Sequence, residues 1–307
     1  MKAIRIDGYG AVLSLEEVPT PEIDADEVLV RVAAAALNPL DVKLHGGAMR
    51  EMMPLRFPYT PGTDLAGTVE RAGALAGRWR EGDKVVARLD PTDGGALAEF
   101  AVVPAVQLVT APAAVSMEEA AGVPTAAGTA WQGLFQTARV AHGQTVLVHA
   151  GAGGVGGFAI QLARLAGARV IATASGDGTE IARRLGADRV IDHRAERFWE
   201  QASDVDVVLD TVGGETQRRS FEVLRPGGSL ISTTSPPDAA LAEAHGVAAT
   251  FVYHRSEAGR LGAVLSLLDA GRLKVLMDRR AAFVDVADAF RHQASGRARG
   301  KIVVGFD

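Results

Sequence analysis

Over residues 1–115 the apolar positions come in short runs, MKAIRI, EVLVRVAAAAL, AGTVERAG, DKVVARL and LAEFAVV. Gly, Pro and Asp separate them in 60-TPGTD-64, 81-EGD-83 and 90-DPTDGG-95. Short β-rich runs bounded by turn residues predict strands, and helical periodicity is poor here. The expectation is a small, barrel-like, all-β domain.

The pattern changes at residue 116. Ser116 followed by Glu119 is the signature of a capped helix through 116–123, and a second helix is predicted over 125–138. TVLV at 145–148 reads as a strand. Val155, Ala159, Leu162, Ala163 and Ala166 then fall on one face of a helix that Gly167 stops. Further strands are predicted at 168–174, 189–192, 205–212, 228–234 and 248–254, with helices at 179–186 and about 216–224. Strands alternating with helices predict a parallel, doubly wound sheet with right-handed crossovers. Helices at 256–270 and 286–296 and a strand in GKIVVGF complete the chain.

The chain of 307 residues is long enough for two domains with their own cores. A net charge of −5 argues against nucleic acid or anionic membrane as the main partner. The absence of cysteine removes disulfides, thiolate metal sites and a thiol nucleophile. The N-terminus MKAIRIDGYG has no apolar signal region, and no apolar run is long enough to span a membrane. A cytoplasmic protein is expected.

The most informative stretch is 146-VLVHAGAGGVGG-157, where five glycines fall within seven positions. Gly151, Gly153 and Gly156 match G-x-G-x-x-G between a predicted strand and a predicted helix. Glycine lets the backbone turn sharply and lets a diphosphate approach the main chain, and the helix start offers free N–H groups to it. The amides of 151–156, Gly154 and Val155 included, are therefore the candidate dinucleotide cradle. At the end of the next strand, 171-IATASGDG-178, no acid stands where an NAD site places Asp or Glu for the ribose hydroxyls. Ser175, with His193 and Arg194 after the following strand, suits a 2′-phosphate, so NADPH is expected. Arg183 and Arg184 are further candidate cations or simply a solvated helix face.

These segments together resemble the zinc-independent quinone oxidoreductase and enoyl reductase branch of the medium-chain dehydrogenase/reductase superfamily. The resemblance rests on 37-LNPLDVK-43, 58-PYTPGTDLAGTV-69, 81-EGDKVVA-87, 124-PTAAGTAWQGL-134 and 150-AGAGGVG-156. It continues through 185-LGADRVIDHR-194, 208-VLDTVGG-214, 226-PGGSLIS-232 and 300-GKIVV-304, nearly the whole chain. It implies an α/β protein with a GroES-like catalytic domain over 1–117 and a Rossmann NADP-binding domain over 118–255. Residues 256–307 would return to the first domain, and the nicotinamide would face that domain. A homodimer pairing through sheet edges is also implied. Where zinc-dependent relatives carry a Cys and a His, this chain has Leu37-Asn38-Pro39 and Thr63, so no metal is expected.

Without zinc, an acceptor needing little activation suits the resemblance: a quinone, or a carbon–carbon double bond conjugated to a carbonyl. Both move negative charge onto oxygen and need hydrogen-bond donors. The resemblance puts Asn38 and Thr129 beside the nicotinamide and Lys43 and Lys301 near cofactor or substrate. Tyr59 is either a cleft residue or packed between prolines, and Asp41 and Asp64 are expected to hold turns. At the carboxyl edge of a doubly wound sheet, Val212, Gly213, Ser232, Thr233, Phe251, Val252 and Tyr253 are candidates to border the ring. An enoyl-thioester reductase and a non-catalytic NADPH-binding protein are the competing readings. The three methionines of 44-LHGGAMREMMPLRF-57 suggest an adaptable apolar wall.

Overall fold

The computed structural model describes residues 1–306. It divides into two units: Met1–Thr125 with the chain from Ser256 onward, and Ala126–Arg255. No described helix is long and apolar enough to cross a membrane.

The first unit is built on β1 (Lys2–Arg5), β2 (Ser14–Glu17), β3 (Glu27–Leu37), β4 (Asp64–Ala72), β5 (Lys84–Arg88), β6 (Phe100–Pro104) and β7 (Val109–Thr110). Its helices are α1 (Pro39–His45) and α2 (Met117–Ala121), with further helices at Ala258–Asp269 and Val286–Ala294 in the returning segment, as predicted; α3 (Pro124–Trp131) follows α2 in the chain. Strand β3 organises the sheet. It pairs antiparallel with β4 along most of its length, and its other edge is shared between β6 at residues 27–31 and the C-terminal strand β15 (Lys301–Gly305) at residues 34–37. Register shifts at Leu29/Val30 and Val32/Ala34 bend β3, as bulges do, so one strand can serve two partners. The core below it holds Val28, Val30, Val32, Leu65, Trp79, Val85, Phe290, Ile302 and Val304. Each large apolar side chain removed from water there contributes about 1.5–3 kcal/mol.

The second unit carries one parallel sheet of six strands, ordered β10-β9-β8-β11-β12-β13. They are β8 (Thr145–Val148), β9 (Arg169–Ala174), β10 (Arg189–Asp192), β11 (Val205–Asp210), β12 (Leu224–Ser232) and β13 (Ala248–Phe251). The connecting helices are α4 (Gly154–Leu165), α5 (Asp177–Arg184), α6 (Phe198–Gln201), α7 (Gly214–Ser220) and α8 (Ala239–His245). Successive strands run outward from β8 in one direction and then, from β11, in the other. That reversal is the switch point at which open α/β sheets bind ligands.

Most predicted elements are present, and the differences have local causes. Ser116 caps α2 and Glu119 answers it, as the spacing predicted. The helix predicted over 125–138 is α-helical only to Trp131 and continues as a π-helical turn over Gln132–Thr137. Segment 37–43, for which no helix is predicted, contains α1: Pro39 opens it, and Asp41 reaches back to accept the Asn38 N–H. Helices α6 and α8 were not predicted, nor was β14 (Met277–Ala282), which pairs parallel to β15. The β14 sequence MDRRAA lacks the apolar alternation of a strand; its partner supplies the order.

Candidate active site

In the second unit, the loop leaving β8 lies at the switch point. Ala150 adopts φ +51°, a left-handed conformation held by its N–H to Thr173 Oγ1 at 3.3 Å and its carbonyl to Gly153 N at 2.9 Å. Gly153 is the N-cap of α4, and no side chain caps that helix. The N–H groups of Gly154, Val155 and Gly156 therefore have no partner within the helix. The glycines differ in function. A Cβ on Gly156 would stand 2.2 Å from the Ala150 carbonyl oxygen, so fold geometry forbids one. A Cβ on Gly153 would meet only that oxygen, at 3.2 Å. A side chain at 153 needs that oxygen to give by only a few tenths of an ångström; what it would obstruct is the mouth of three free amides. That open, positively polarised helix start fits a dinucleotide diphosphate.

The other candidates of this unit line up along the same sheet edge. Ser175 follows β9, and His193 is tied beside it by its N–H to Ala174 O at 3.1 Å. His193 and Arg194 are exposed, and Ser175, not a carboxylate, follows β9; Asp192, which pairs across from Ala174, accepts the Arg194 N–H on Oδ1. Arg183 and Arg184 close the last turn of α5, at the end remote from this edge, and Arg183 pairs with Glu180. They are a solvated helix face and not part of the site. Val212 is 51% exposed at the end of β11, next to buried Gly213. Ser232 is fully buried and bonds Asp210 and Gln217, which makes it a support and not a contact surface. Thr233 is tethered to the Asp210 carbonyl, Val252 is buried, and Phe251 and Tyr253 are more accessible. Thr129 is buried in α3.

Two residues that the sequence reading passed over organise this edge. Asp210 is fully buried. One of its carboxylate oxygens accepts the N–H groups of Val212 at 2.9 Å and Gly213 at 2.8 Å; the other accepts Gln217 Nε2 and Ser232 Oγ, both at 3.1 Å. His149, also fully buried, bridges Thr173 and Ser220. The available signal was a polar residue ending each of two otherwise apolar strands, beside a glycine turn.

In the first unit, Asn38 lies in a buried polar cluster. Lys301 Nζ donates to Asn38 Oδ1 at 2.5 Å and to Leu37 O at 3.0 Å, and stands 3.7 Å from Asp64. Asn38 Nδ2 donates to Asp64 Oδ2 at 3.0 Å. Asp64 also accepts the N–H and hydroxyl of Thr125, whose hydroxyl oxygen accepts Arg88 Nε at 2.9 Å. The cation and the carboxylate fix which way the Asn38 amide faces, leaving one Nδ2 hydrogen without a partner among the described residues. Burial pulls the Lys301 ammonium below its usual range, and the charges of Asp64 and Asp41 oppose that pull. Lys301 is thus an internal tie, not a surface cation reaching for phosphate. Lys43 lies exposed on α1 with no side-chain partner among the described residues. Tyr59 is a core residue whose hydroxyl donates to Pro91 O at 2.8 Å, and burial raises its pKa; of its two readings the packed one is seen, and the candidate catalytic hydroxyl is turned inward.

Asp41 has one oxygen on the Asn38 N–H at 2.7 Å and the other buried with no partner. Burial, with help from the charge of Asp64, pushes its pKa up to about 7. A carboxyl whose pKa is raised on folding favours the folded state when protonated. Stability therefore falls as pH rises from near the unfolded value to about 7, by at most about 4 kcal/mol. Replacing Asp41 with Asn should flatten this slope. Denaturant unfolding of both proteins at pH 5 and pH 8 checks it, and parallel pH dependences would refute it.

Among the described residues no group of three or more His, Asp or Glu side chains could hold a metal ion. Comparison with known proteins agrees with the fold. Residues 24–113 match the family described as alcohol dehydrogenase GroES-like domain, and residues 185–304 the one described as zinc-binding dehydrogenase. The chain is 34% identical to a chloroplastic quinone-oxidoreductase homolog of Spinacia oleracea, over 99% of this chain and 98% of that protein. It is 36% identical to an NADPH-dependent alkenal/one oxidoreductase of Arabidopsis thaliana, over 99% of this chain and 79% of that protein. The quinone oxidoreductase of Coxiella burnetii superposes with a TM-score of 0.92 at 31% identity, covering 100% of this chain and 99% of that one. The protein is an oxidoreductase on a nicotinamide-binding fold, and it belongs to the quinone oxidoreductase branch of the medium-chain dehydrogenase/reductase superfamily.

Proposed function

We propose that this oxidoreductase is NADPH-dependent and zinc-independent and reduces quinones or α,β-unsaturated carbonyls. The observation that carries the reading is the uncapped start of α4, with three unpartnered amides behind an unobstructed Gly153. Reduced nicotinamide, when bound, supplies hydride. The amides of Gly154, Val155 and Gly156 would hold its diphosphate. Ser175, His193 and Arg194 would hold the 2′-phosphate, and Val212, Gly213, Thr233 and the 251–253 segment would border the ring. Thr129 is proposed to contact the nicotinamide. The unpaired Nδ2 hydrogen of Asn38 is the proposed donor to the acceptor oxygen as it gains charge, with Lys301 and Asp64 keeping the amide in that orientation. Exposed Lys43 is a second candidate donor.

Zinc independence rests on the side chains present. The chain has no cysteine, and the position after Pro61-Gly62 holds buried Thr63, whose hydroxyl faces Asp64. Strand β13, an edge of the parallel sheet, is the proposed homodimer contact.

NADPH should bind at least about tenfold more tightly than NADH, because Ser175 and not a carboxylate follows β9, and His193 and Arg194 stand beside it. Fluorescence titration decides this, and equal affinities would remove the 2′-phosphate assignment. NADPH consumption should then respond to 1,2-naphthoquinone or 2-alkenals and be insensitive to chelator. Turnover confined to enoyl thioesters would move the substrate class to carrier-bound acyl chains. Tight binding with no turnover of any acceptor would mark a non-catalytic NADPH-binding protein.

A further inference from the structure

His149 is fully buried immediately before the glycine loop, and its hydrogen bonds can be ordered without ambiguity. Ser220 Oγ lies 2.7 Å from the Thr216 carbonyl, to which only the hydroxyl can donate. Ser220 Oγ, 2.9 Å from His149 Nε2, must then accept, so Nε2 carries the ring proton. Nδ1, 3.0 Å from Thr173 Oγ1, is left as an acceptor, and the Thr173 hydroxyl donates to it. That leaves a Thr173 lone pair directed at the Ala150 N–H, 3.3 Å away. Thr173 also accepts Gly151 N–H on its carbonyl at 2.8 Å. The His149 carbonyl meanwhile accepts the Thr211 hydroxyl at 2.8 Å, at the start of the turn that Asp210 holds.

We propose that His149, as the neutral Nε2–H tautomer, is a positioning residue that sets the dinucleotide cradle. It fixes the direction of the Thr173 hydroxyl, and through it the left-handed Ala150 whose carbonyl anchors Gly153. A non-Gly residue in that conformation persists only where its surroundings hold it. Were Nδ1 to carry a proton, the Thr173 hydroxyl would have to turn away, and two donors, Nδ1–H and Ala150 N–H, would converge on one oxygen. The surroundings oppose this: burial holds the imidazole pKa down to about 4, the His193 ring adds to that effect, and only the nearby Asp210 charge works against it. Phe198 seals the ring edge-on at 4.6 Å.

The inference rests on the cofactor reading above for its affinity readout, and two measurements separate them. Asn at 149 can place an acceptor near Nδ1, and Gln a donor near Nε2. His149→Asn should keep NADPH affinity within about threefold, whereas His149→Gln and Thr173→Val should each weaken it about tenfold or more. A purely structural role would make affinity loss follow the loss of Tm, whichever hydrogen bond is kept. Nitrogen-15 spectra of the wild-type imidazole read the tautomer directly, with no ligand and no mutation. An Nε2–H signature down to pH 5, with a slowly exchanging Ala150 amide that His149→Gln makes fast, supports the proposal. An Nδ1–H tautomer, an imidazolium at neutral pH, or unchanged affinity in His149→Gln overturns it. If the wild type binds neither NADPH nor NADH, the cofactor reading fails, while the tautomer and the amide exchange still decide the role of His149.

Discussion

Replacing Gly153 with Val should raise the dissociation constant for NADPH at least about a hundredfold while leaving the protein folded. The expectation comes from the asymmetry of the glycine loop. At Gly153 the backbone has φ −86°, open to any residue, and a Cβ meets one carbonyl oxygen at 3.2 Å. A valine there would instead cover the amides of Gly154, Val155 and Gly156. Hydrogen bonds from such amides to a charged phosphate contribute about 1.5–3 kcal/mol each, so screening even one or two costs the stated factor. Gly156→Ala is the contrasting variant. Its Cβ at 2.2 Å from a main-chain oxygen forces the loop or α4 to move, so it should lose affinity and Tm together. Titration of NADPH alongside thermal melts separates the two. Undiminished affinity in Gly153→Val would place the diphosphate elsewhere and remove the basis of the proposed reductase.

Lys301→Met should destabilise the protein by about 3–5 kcal/mol, because it strands Asp64 in the core. Asp64 would keep its hydrogen bonds from Asn38 and Thr125 but lose the ammonium at 3.7 Å. Adding Asp64→Asn to Lys301→Met should recover part of the loss, since a neutral amide removes the stranded charge. The same change frees the Asn38 carbonyl oxygen from its 2.5 Å tie, so residual activity should drop mainly in kcat. Denaturant unfolding of the single and double variants gives the coupling. A loss below about 1 kcal/mol for Lys301→Met would mean that the cluster is solvated and does not fix Asn38.

The two halves of the molecule were not equally legible in the sequence. In the parallel sheet, apolar strands and a clean helical stripe from Val155 to Ala166 follow local rules, and the structure reproduces them closely. In the β-rich unit, β14 is charged and gains its place from β15, a partner that residue order alone does not reveal. In segment 37–43, Pro39 and Asp41 are a helix start, but the helix they open runs only to His45, too short to show an apolar stripe. The site showed the same division. Glycine spacing announced the cradle, but the supports, His149 with Thr173 and Asp210 with Gln217, join residues 24 and 7 positions apart. Tyr59 and Lys301 were assigned by motif, and only burial and hydrogen bonds show that their polar atoms face inward. Sequence spacing carries no information on which way a side chain is turned.

Strand β15 follows the whole parallel-sheet unit in sequence, yet it lies inside the other sheet, between β14 and β3. Every strand of the parallel sheet, by contrast, comes from one uninterrupted stretch. On a ribosome the two halves therefore mature in the reverse of their order of synthesis. The half begun first must wait, with an edge of β3 unsatisfied, until β15 has been synthesised.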